Sequence, residues 1–291
     1  MPIERSTVEA WLREDLGHHD VTNHVPGETT GRLVVREAGV VAGLEAAAAV
    51  FEHLDVAVTD RLADGDAVEP GEVVLAVSGP ARDVLRGERA ATNVVAHASG
   101  VATRTRRAVA AAREVSESVR IAGTRKTTPG LRGVEKRAIA AGGGDTHRLD
   151  LSHMAMVKDN HVAELGLEGA IERVRERTSF ATLIEVEAED VATAREAALA
   201  GADAVLLDNM APETVERAVA TLADADRRDT ADAESWTDPG NAAAPGSVIT
   251  EASGGITLET VREYAATGVD VVSMGSLTHS APSLDHSFRT G

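Results

Sequence analysis

Charged residues in this chain gather where short apolar runs end. Arg125 and Lys126 follow VRIAGT, His147 and Arg148 follow GGGDT, and Lys158 closes MAMVK before Asp159, Asn160 and His161. Further on, ATLIEVE (181–187) ends in Glu187 with Glu185 two residues earlier, and ADAVLLD (202–208) ends in Asp208 beside Asn209. The last two apolar runs finish in Ser253-Gly254-Gly255 and in Met274-Gly275. Arg and Lys in numbers suit carboxylates or phosphates, and Arg can grip either bidentately. Glycine turns let backbone N–H groups approach a phosphate closely. Single carboxylates suit Mg2+, which takes one or two of them together with phosphate and water. The set therefore fits a phosphorylated sugar, Mg2+ and a second anionic substrate. Each piece alone also has a plainer reading. An Arg-Lys pair is usually solvated surface, GGG a turn and a single His structural. Glu187 can pair with an Arg, and Asp208 can cap a helix. Their joint recurrence at successive run ends is what favours a binding site.

Such residues need a frame that brings run ends together. Strand-like runs at 119–123, 154–158, 181–187, 202–208, 247–253 and 270–275 alternate with helical stretches at 162–177, 190–200, 212–224 and 258–267. Near-continuous apolar strands separated by amphipathic helices predict parallel β/α architecture, and six or seven such units favour a barrel over a sandwich. In barrels of this kind the chemistry lies at the C-terminal strand ends. Upstream, residues 31–79 alternate β-branched and polar positions around Asp-Gly and Pro-Gly turns, which predicts an antiparallel sheet with a helix at 47–51. Ser6 with Glu9 reads as a capping box for an opening helix to about Gly17, with Val8, Trp11 and Leu12 on one face. A helix is expected from Asp83 to about Val115, broken at Ser99-Gly100. The acidic, Pro/Gly-rich interval 225–246 reads as a surface loop, with Trp236 as its candidate anchor.

Composition narrows the classes. The 291 residues carry 47 acids against 29 Lys plus Arg, a formal charge of −18, six aromatics and no cysteine. Disulfides, thiolate metal sites, Fe–S clusters and a cysteine nucleophile are thereby excluded. Acidity and scarce aromatics argue against nucleic-acid binding. No run has the length of a membrane span, and the mixed-charge start is no secretory signal, so a soluble cytoplasmic protein is expected. Only three of the 29 basic residues are Lys: Lys126, Lys136 and Lys158. Few lysines amid many acids read as adaptation to high salt, where screening tolerates negative charge. From Arg120 to Lys158, eight basic residues face three acids, a local +5 against −23 elsewhere. That basic island points to an anionic ligand.

Several stretches together closely resemble the quinolinate phosphoribosyltransferase family: EDLGHHDVT (14–22), GERAATNVVAHASGVAT (87–103), TRKTTPGLRGVEKRAIAAGGGDTHR (124–148), MVKDNH (156–161), IEVE (184–187), LLDN (206–209), EASGGI (251–256) and GVDVVSMGSLTHS (268–280). The resemblance spans nearly the whole chain. It implies an α/β protein with an N-terminal α/β sandwich and an incomplete, seven-stranded α/β barrel. The expected division is 1–115, 116–279, and a tail at 280–291 returning to the first domain. It implies transfer of phosphoribose from phosphoribosyl pyrophosphate to quinolinate with decarboxylation, giving nicotinate mononucleotide for NAD synthesis. It further implies Mg2+ and a homodimer, or a higher assembly, with shared active sites. By the same resemblance Arg125, Lys126, His147, Arg148 and Lys158 form a basic wall for the carboxylates and pyrophosphate, and Arg89 enters the neighbouring subunit's site. Glu187 and Asp208 face the ribose and Mg2+, directly or indirectly, while Ser253, Gly254 and Gly275 take the 5′-phosphate. Lys126, Lys158, Glu187 and Asp208 are the expected catalytic residues. His19 and His153 depart from the family pattern, and His153 is placed where it could alter the surroundings of the basic wall. The rival readings are a molybdenum-transport-linked relative of the same fold and a non-catalytic phosphosugar-binding protein. The dense cation set disfavours the first, and the pairing of that set with Glu187 and Asp208 disfavours the second. Plain nicotinate phosphoribosyl transfer gives no reason for so many cations.

Overall fold

The computed structural model describes residues 3–229 and 248–291. In chain order the elements begin with α1 (Arg5–Leu16), β1 (Glu28–Val35), β2 (Gly39–Val40), α2 (Leu44–His53), β3 (Ala57–Arg61), β4 (Ala67–Val68) and β5 (Val73–Pro80). The long helix α3 (Ala81–Arg113) follows, then β6 (Arg120–Ala122) and α4 (Arg132–Ala141). Strand and helix then alternate through β7 (Ala155–Val157), α5 (Asp159–Leu165), α6 (Leu167–Arg175), β8 (Ile184–Ala188), α7 (Val191–Leu199), β9 (Ala204–Asp208), α8 (Pro212–Asp229), β10 (Ile249–Ser253), α9 (Val261–Ala265) and β11 (Val271–Ser273). The chain closes with α10 (Ser276–His279) and β12 (His286–Thr290). Two compact units result. The first holds Met1–Arg107, Lys126–Thr146 and Ser276–Gly291, and the second Ala108–Arg125 and His147–Gly275. Residues 126–146 thus pack with the N-terminal unit.

In the first unit an antiparallel sheet of order β12-β1-β5-β3 lies beside the short ribbon β2-β4. The C-terminal strand completes it, with Gly31 opposite Thr290 and Val35 opposite His286. Leu33, Val35, Leu75 and Val77 from this sheet bury against Val8 and Leu12 of α1 and Phe51 of α2. The start of α1 differs from the capping-box reading. Glu4 is the N-cap, no side chain caps the helix, and Arg5 instead pairs with Glu9 at 2.9 Å across one turn.

Helix α3 runs unbroken through Ser99-Gly100, contrary to the expected interruption. Both residues serve packing. Ser99 Oγ accepts from Ala42 N at 3.0 Å and donates to Ala42 O at 3.2 Å. Gly100 leaves room for the chain at Pro282-Ser283, where a Cβ would come within 3.0 Å of backbone. Helix propensity counts against Gly by only about 1 kcal/mol, which this close approach outweighs.

In the second unit six parallel strands pair in the order β6-β11-β10-β9-β8-β7. Among the described residues β6 and β7 do not pair, so the sheet is an incomplete barrel, of six strands where seven were expected. Its registers align the strand ends. Val157 lies opposite Val186, Ala188 opposite Leu207, and Asp208 opposite Ser253. Gly166, at φ 70, splits the helix expected over 162–177 into α5 and α6. Helix α8 continues to Asp229, so the interval 225–246 begins as helix, and Trp236 lies outside the described residues.

If Gly100 is needed for the Pro282-Ser283 approach, Gly100→Ala should cost about 1–3 kcal/mol through overpacking. Chemical denaturation should show a lower midpoint with an unchanged slope. An unchanged midpoint would mean the C-terminal segment does not depend on that contact.

Candidate active site

Strand alignment in the second unit places Lys158, Glu187, Asp208 and Ser253 at one end of the parallel sheet, with Arg125 and Gly275 just beyond β6 and β11. Lys158 is the N-cap of α5, and its Nζ forms an ion pair with Glu187 Oε2. On the neighbouring strand Asp208 accepts from Asn209 Nδ2 at 2.7 Å. Asn209 takes a left-handed conformation, φ 54, and its N–H donates to Ser253 O at 2.9 Å. Gly254, at φ 98, has no space for a side chain, because a Cβ would meet Asn209 Cγ at 2.6 Å and Asn209 N at 2.8 Å. A Gly-rich turn with a positive φ aims backbone N–H groups outward, the geometry that phosphate binding exploits.

His147 also sits at positive φ, 53°, uncommon for a residue with a Cβ. Its Nε2 lies 2.7 Å from Glu251 Oε2 and 3.8 Å from Glu185 Oε1. Glu185 is fully buried, and neither of its carboxylate oxygens meets a hydrogen-bond donor. Burial lowers the pKa of the His147 ring, but the two carboxylates outweigh that effect and raise it to about 10. Burial first, then the negative charge of Glu251, pushes Glu185 above the usual carboxylate range. The cluster therefore favours an imidazolium at His147 and a proton held on Glu185 to higher pH than usual. These three ligand atoms lie within 4.8 Å of one another, a spacing that could admit a metal ion. The 2.7 Å contact is also a hydrogen-bond separation, and a protonated ring there offsets the carboxylate charge.

Arg148 is buried beside this cluster and donates from Nη2 to Met156 Sδ at 3.2 Å. Burial, then the positive charge of Arg125, pushes its guanidinium below its ordinary value, while Glu185, Glu251 and Glu187 pull it back. The second unit thus brings together Arg125, His147 and Arg148 over buried acids, with the Lys158–Glu187 pair on the same rim. Arg89 and Lys126 lie in the first unit, both exposed. Arg89, on α3, lines a cavity of 710 Å³ together with Trp11, Asn93, His97 and Thr128.

Glu251 is the one member of this cluster that strand-end reasoning passed over, because it lies inside ITEAS and not at its end. The available signal was a carboxylate within an otherwise apolar parallel strand, where solvent cannot satisfy it. Of the two departures, His19 is exposed and its neighbour Asp20 does the work. The Arg86 guanidinium at 2.7 Å, with the amides of Asn23 and Thr22, holds Asp20 far below the usual carboxylate range. His153 is exposed and accepts from Leu149 N at 3.2 Å, which closes the turn after Arg148.

The family description "Quinolinate phosphoribosyl transferase, C-terminal domain" matches residues 101–289, and its N-terminal counterpart matches residues 19–99. The chain belongs to the quinolinate phosphoribosyltransferase family. It is 44% identical over 287 residues, 97% of each chain, to the probable nicotinate-nucleotide pyrophosphorylase [carboxylating] of Methanothermobacter thermautotrophicus. To the human nicotinate-nucleotide pyrophosphorylase [carboxylating] it is 40% identical, covering 97% of this chain and 90% of that one. The crystal structure of NadC from Streptococcus pyogenes superposes with a TM-score of 0.83 at 36% identity, covering 98% and 95% of the two chains.

The raised His147 pKa makes a signed prediction. A group whose folded pKa exceeds its unfolded value near 6.5 stabilises fully below that pH, and its contribution fades as pH rises through the folded value. Unfolding midpoints should therefore fall between about pH 7 and 10, and His147→Gln should flatten that slope. A wild-type slope that survives this substitution would assign the proton elsewhere.

Proposed function

We propose that the rim of the second unit binds quinolinate and phosphoribosyl pyrophosphate and joins them, releasing pyrophosphate and CO2 to give nicotinate mononucleotide for NAD synthesis. The observation that carries this reading is the convergence of Arg125, His147 and Arg148 over buried carboxylates. A dicarboxylate needs just such a concentration of fixed cations. The sequence relatives carry the name of this activity, and the chain matches them along nearly its whole length.

The chemistry follows from the groups present. Arg125, His147 and Arg148, with Lys126 from the preceding loop, fix the two carboxylates of quinolinate. Its ring nitrogen is thereby aimed at the anomeric carbon of the sugar. As that bond forms, the bond to pyrophosphate breaks, and positive charge grows on the ribose while negative charge grows on the leaving group. Glu187 and Asp208 face the ribose hydroxyls, and the Ser253-Gly254 turn and Gly275 hold the 5′-phosphate through backbone N–H groups. Lys158 balances the leaving pyrophosphate. Holding both reactants in line supplies much of the rate, and preorganised charge supplies most of the rest. Once alkylated, the ring nitrogen is cationic. The adjacent carboxylate leaves as CO2, its bonding pair stays on the ring carbon, and a proton replaces it.

Mg2+ fits the donor set, because Glu187 and Asp208 are half-buried oxygen ligands on neighbouring strands. Glu187 and Asp208 would hold it directly or through bound water. When bound, the ion neutralises charge developing on pyrophosphate. We further assign a homodimer in which Arg89 completes the neighbouring subunit's site, and a cytoplasmic location. Among the described residues no helix is long and apolar enough to cross a membrane.

Purified protein in high salt, given quinolinate, phosphoribosyl pyrophosphate and Mg2+, should release CO2 and form nicotinate mononucleotide. No turnover from folded protein would overturn the assignment, and turnover that persists after Mg2+ is chelated would remove the ion from it. Arg148→Ala or Lys158→Ala should lower kcat/KM by about 10²-fold or more with the fold intact. Near-wild-type rates would show that the cations act elsewhere. Arg89→Ala should regain activity in mixed dimers with Lys158→Ala, since one site of such a dimer is then complete. Additive loss instead would place Arg89 in its own subunit's site.

A further inference from the structure

Two charged side chains that the reaction does not use directly are buried side by side in α4. Glu135 is fully buried and Lys136 is 1% exposed. Consecutive residues on a helix do not face each other, so each must find its own partner. Glu135 accepts from the backbone N–H of Thr128 at 3.0 Å through Oε2, and His97 Nε2 lies 2.8 Å from its Oε1. Lys136 Nζ donates to the carbonyl of Thr146.

We propose that Glu135 and Lys136 are positioning residues that hold the two backbone segments presenting Lys126 and His147. The inference rests on the functional reading above and deepens it by naming what sets the cations in place. Three consecutive residues of the first segment are tied down. The Lys126 carbonyl accepts from Thr278 Oγ1 at 2.6 Å, Thr127 Oγ1 accepts from Arg132 Nε at 3.0 Å, and the Thr128 amide donates to Glu135. Fixing the main chain here limits where the exposed Lys126 side chain can reach. The second segment is tied at Thr146, whose successor is His147 in its left-handed conformation. A non-glycine residue stays in that region only where its surroundings over-determine it, and an ammonium on the preceding carbonyl is one such restraint.

The helix that carries both anchors is itself fixed. Val134, Ala138 and Ile139 of α4 pack with Val94, Ala98, Val101 and Ala102 of α3 in one buried cluster. At the end of α4, Gly142 lies so close to α3 that a Cβ would meet Thr105 Cβ at 2.6 Å. Substrate-facing side chains placed on loops gain precision when the residues behind them are locked by packing. Burying two charges is costly unless both are hydrogen-bonded, and in a helix that merely fills space apolar residues would serve as well.

The test compares Lys136→Met and Glu135→Gln with the wild type, using quinolinate and phosphoribosyl pyrophosphate at matched salt. Each variant should keep wild-type circular dichroism, raise KM for quinolinate at least tenfold and lower kcat. Hydrogen exchange at the Thr128 amide should quicken at least tenfold in Glu135→Gln while the β5 amides keep their protection. Should Lys136→Met fail to fold, Thr278→Val and Thr278→Ser carry the same question. Loss in the first and rescue by the second would sustain the positioning role. Wild-type KM values together with unchanged exchange at Thr128 would overturn it. A wild type that turns over no quinolinate would sink the functional reading instead, and the exchange measurement would still read the anchor by itself.

Discussion

Like charges can be crowded at the rim of this barrel only because acids are buried beneath them. Two unit charges 4 Å apart repel by about 4 kcal/mol in surroundings like a protein surface. Arg148 has its pKa pushed down first by its own burial and then by the positive charge of Arg125. Glu185, Glu251 and Glu187 offset it, and the same acids fix the orientation of the His147 ring and the Lys158 ammonium. The arrangement is charged in parts but nearly balanced as a whole. Such a site can meet an incoming dianion without first moving its own cations, which is the condition under which electrostatic stabilisation acts most strongly. Glu185 is the sensitive member. Burial and the charge of Glu251 hold its proton above the usual range, and the His147 ring opposes them.

The rim was legible in the sequence because parallel strands leave a plain record. They are buried on both faces, read as apolar runs, and end where polar residues begin. Lys158, Glu187, Asp208 and Ser253 could be located in that way, and the strand registers bring those ends level. What lies inside a run leaves less trace. Glu251 occupies the middle of β10, and alternation along a strand does not say which face is the barrel's interior. Glu135 and Lys136 were harder still. In LRGVEKRAIAA they look like one solvated face of an amphipathic helix, and only the packing of α4 on α3 shows them to be enclosed. The Ser99-Gly100 pair misled in the opposite direction. Its small residues mark a close approach between segments, a feature that local propensity alone reads as a break.

The acidic surplus also proves to be partly architectural. Asp203 accepts from Ile184 N, and Asp270 from Thr250 N, each at 2.8 Å, pinning neighbouring parallel strands at their starts. Asp64 accepts from Gly43 N and Leu44 N at 3.1 and 3.0 Å, satisfying the orphan donors where α2 begins. Net charge therefore overstates how much of the negative charge is mere solvation. Several acids close hydrogen bonds that the ends of strands and helices would otherwise leave open.

The three lysines of an arginine-rich chain show why the choice between the two cations is not free. Lys158 reaches a single carboxylate on the next strand, and Lys126 is left exposed beyond a tethered main chain. Lys136 serves a different end: it is enclosed and directs its ammonium at a backbone carbonyl. A guanidinium in that place would bring five donors in a rigid fork, each needing an acceptor once enclosed. A compact ammonium on a flexible stem needs fewer acceptors. Retention of lysine where arginine is otherwise the rule thus follows from geometry at each site. It marks a need for a small, adaptable cation, and chemistry is only one source of that need.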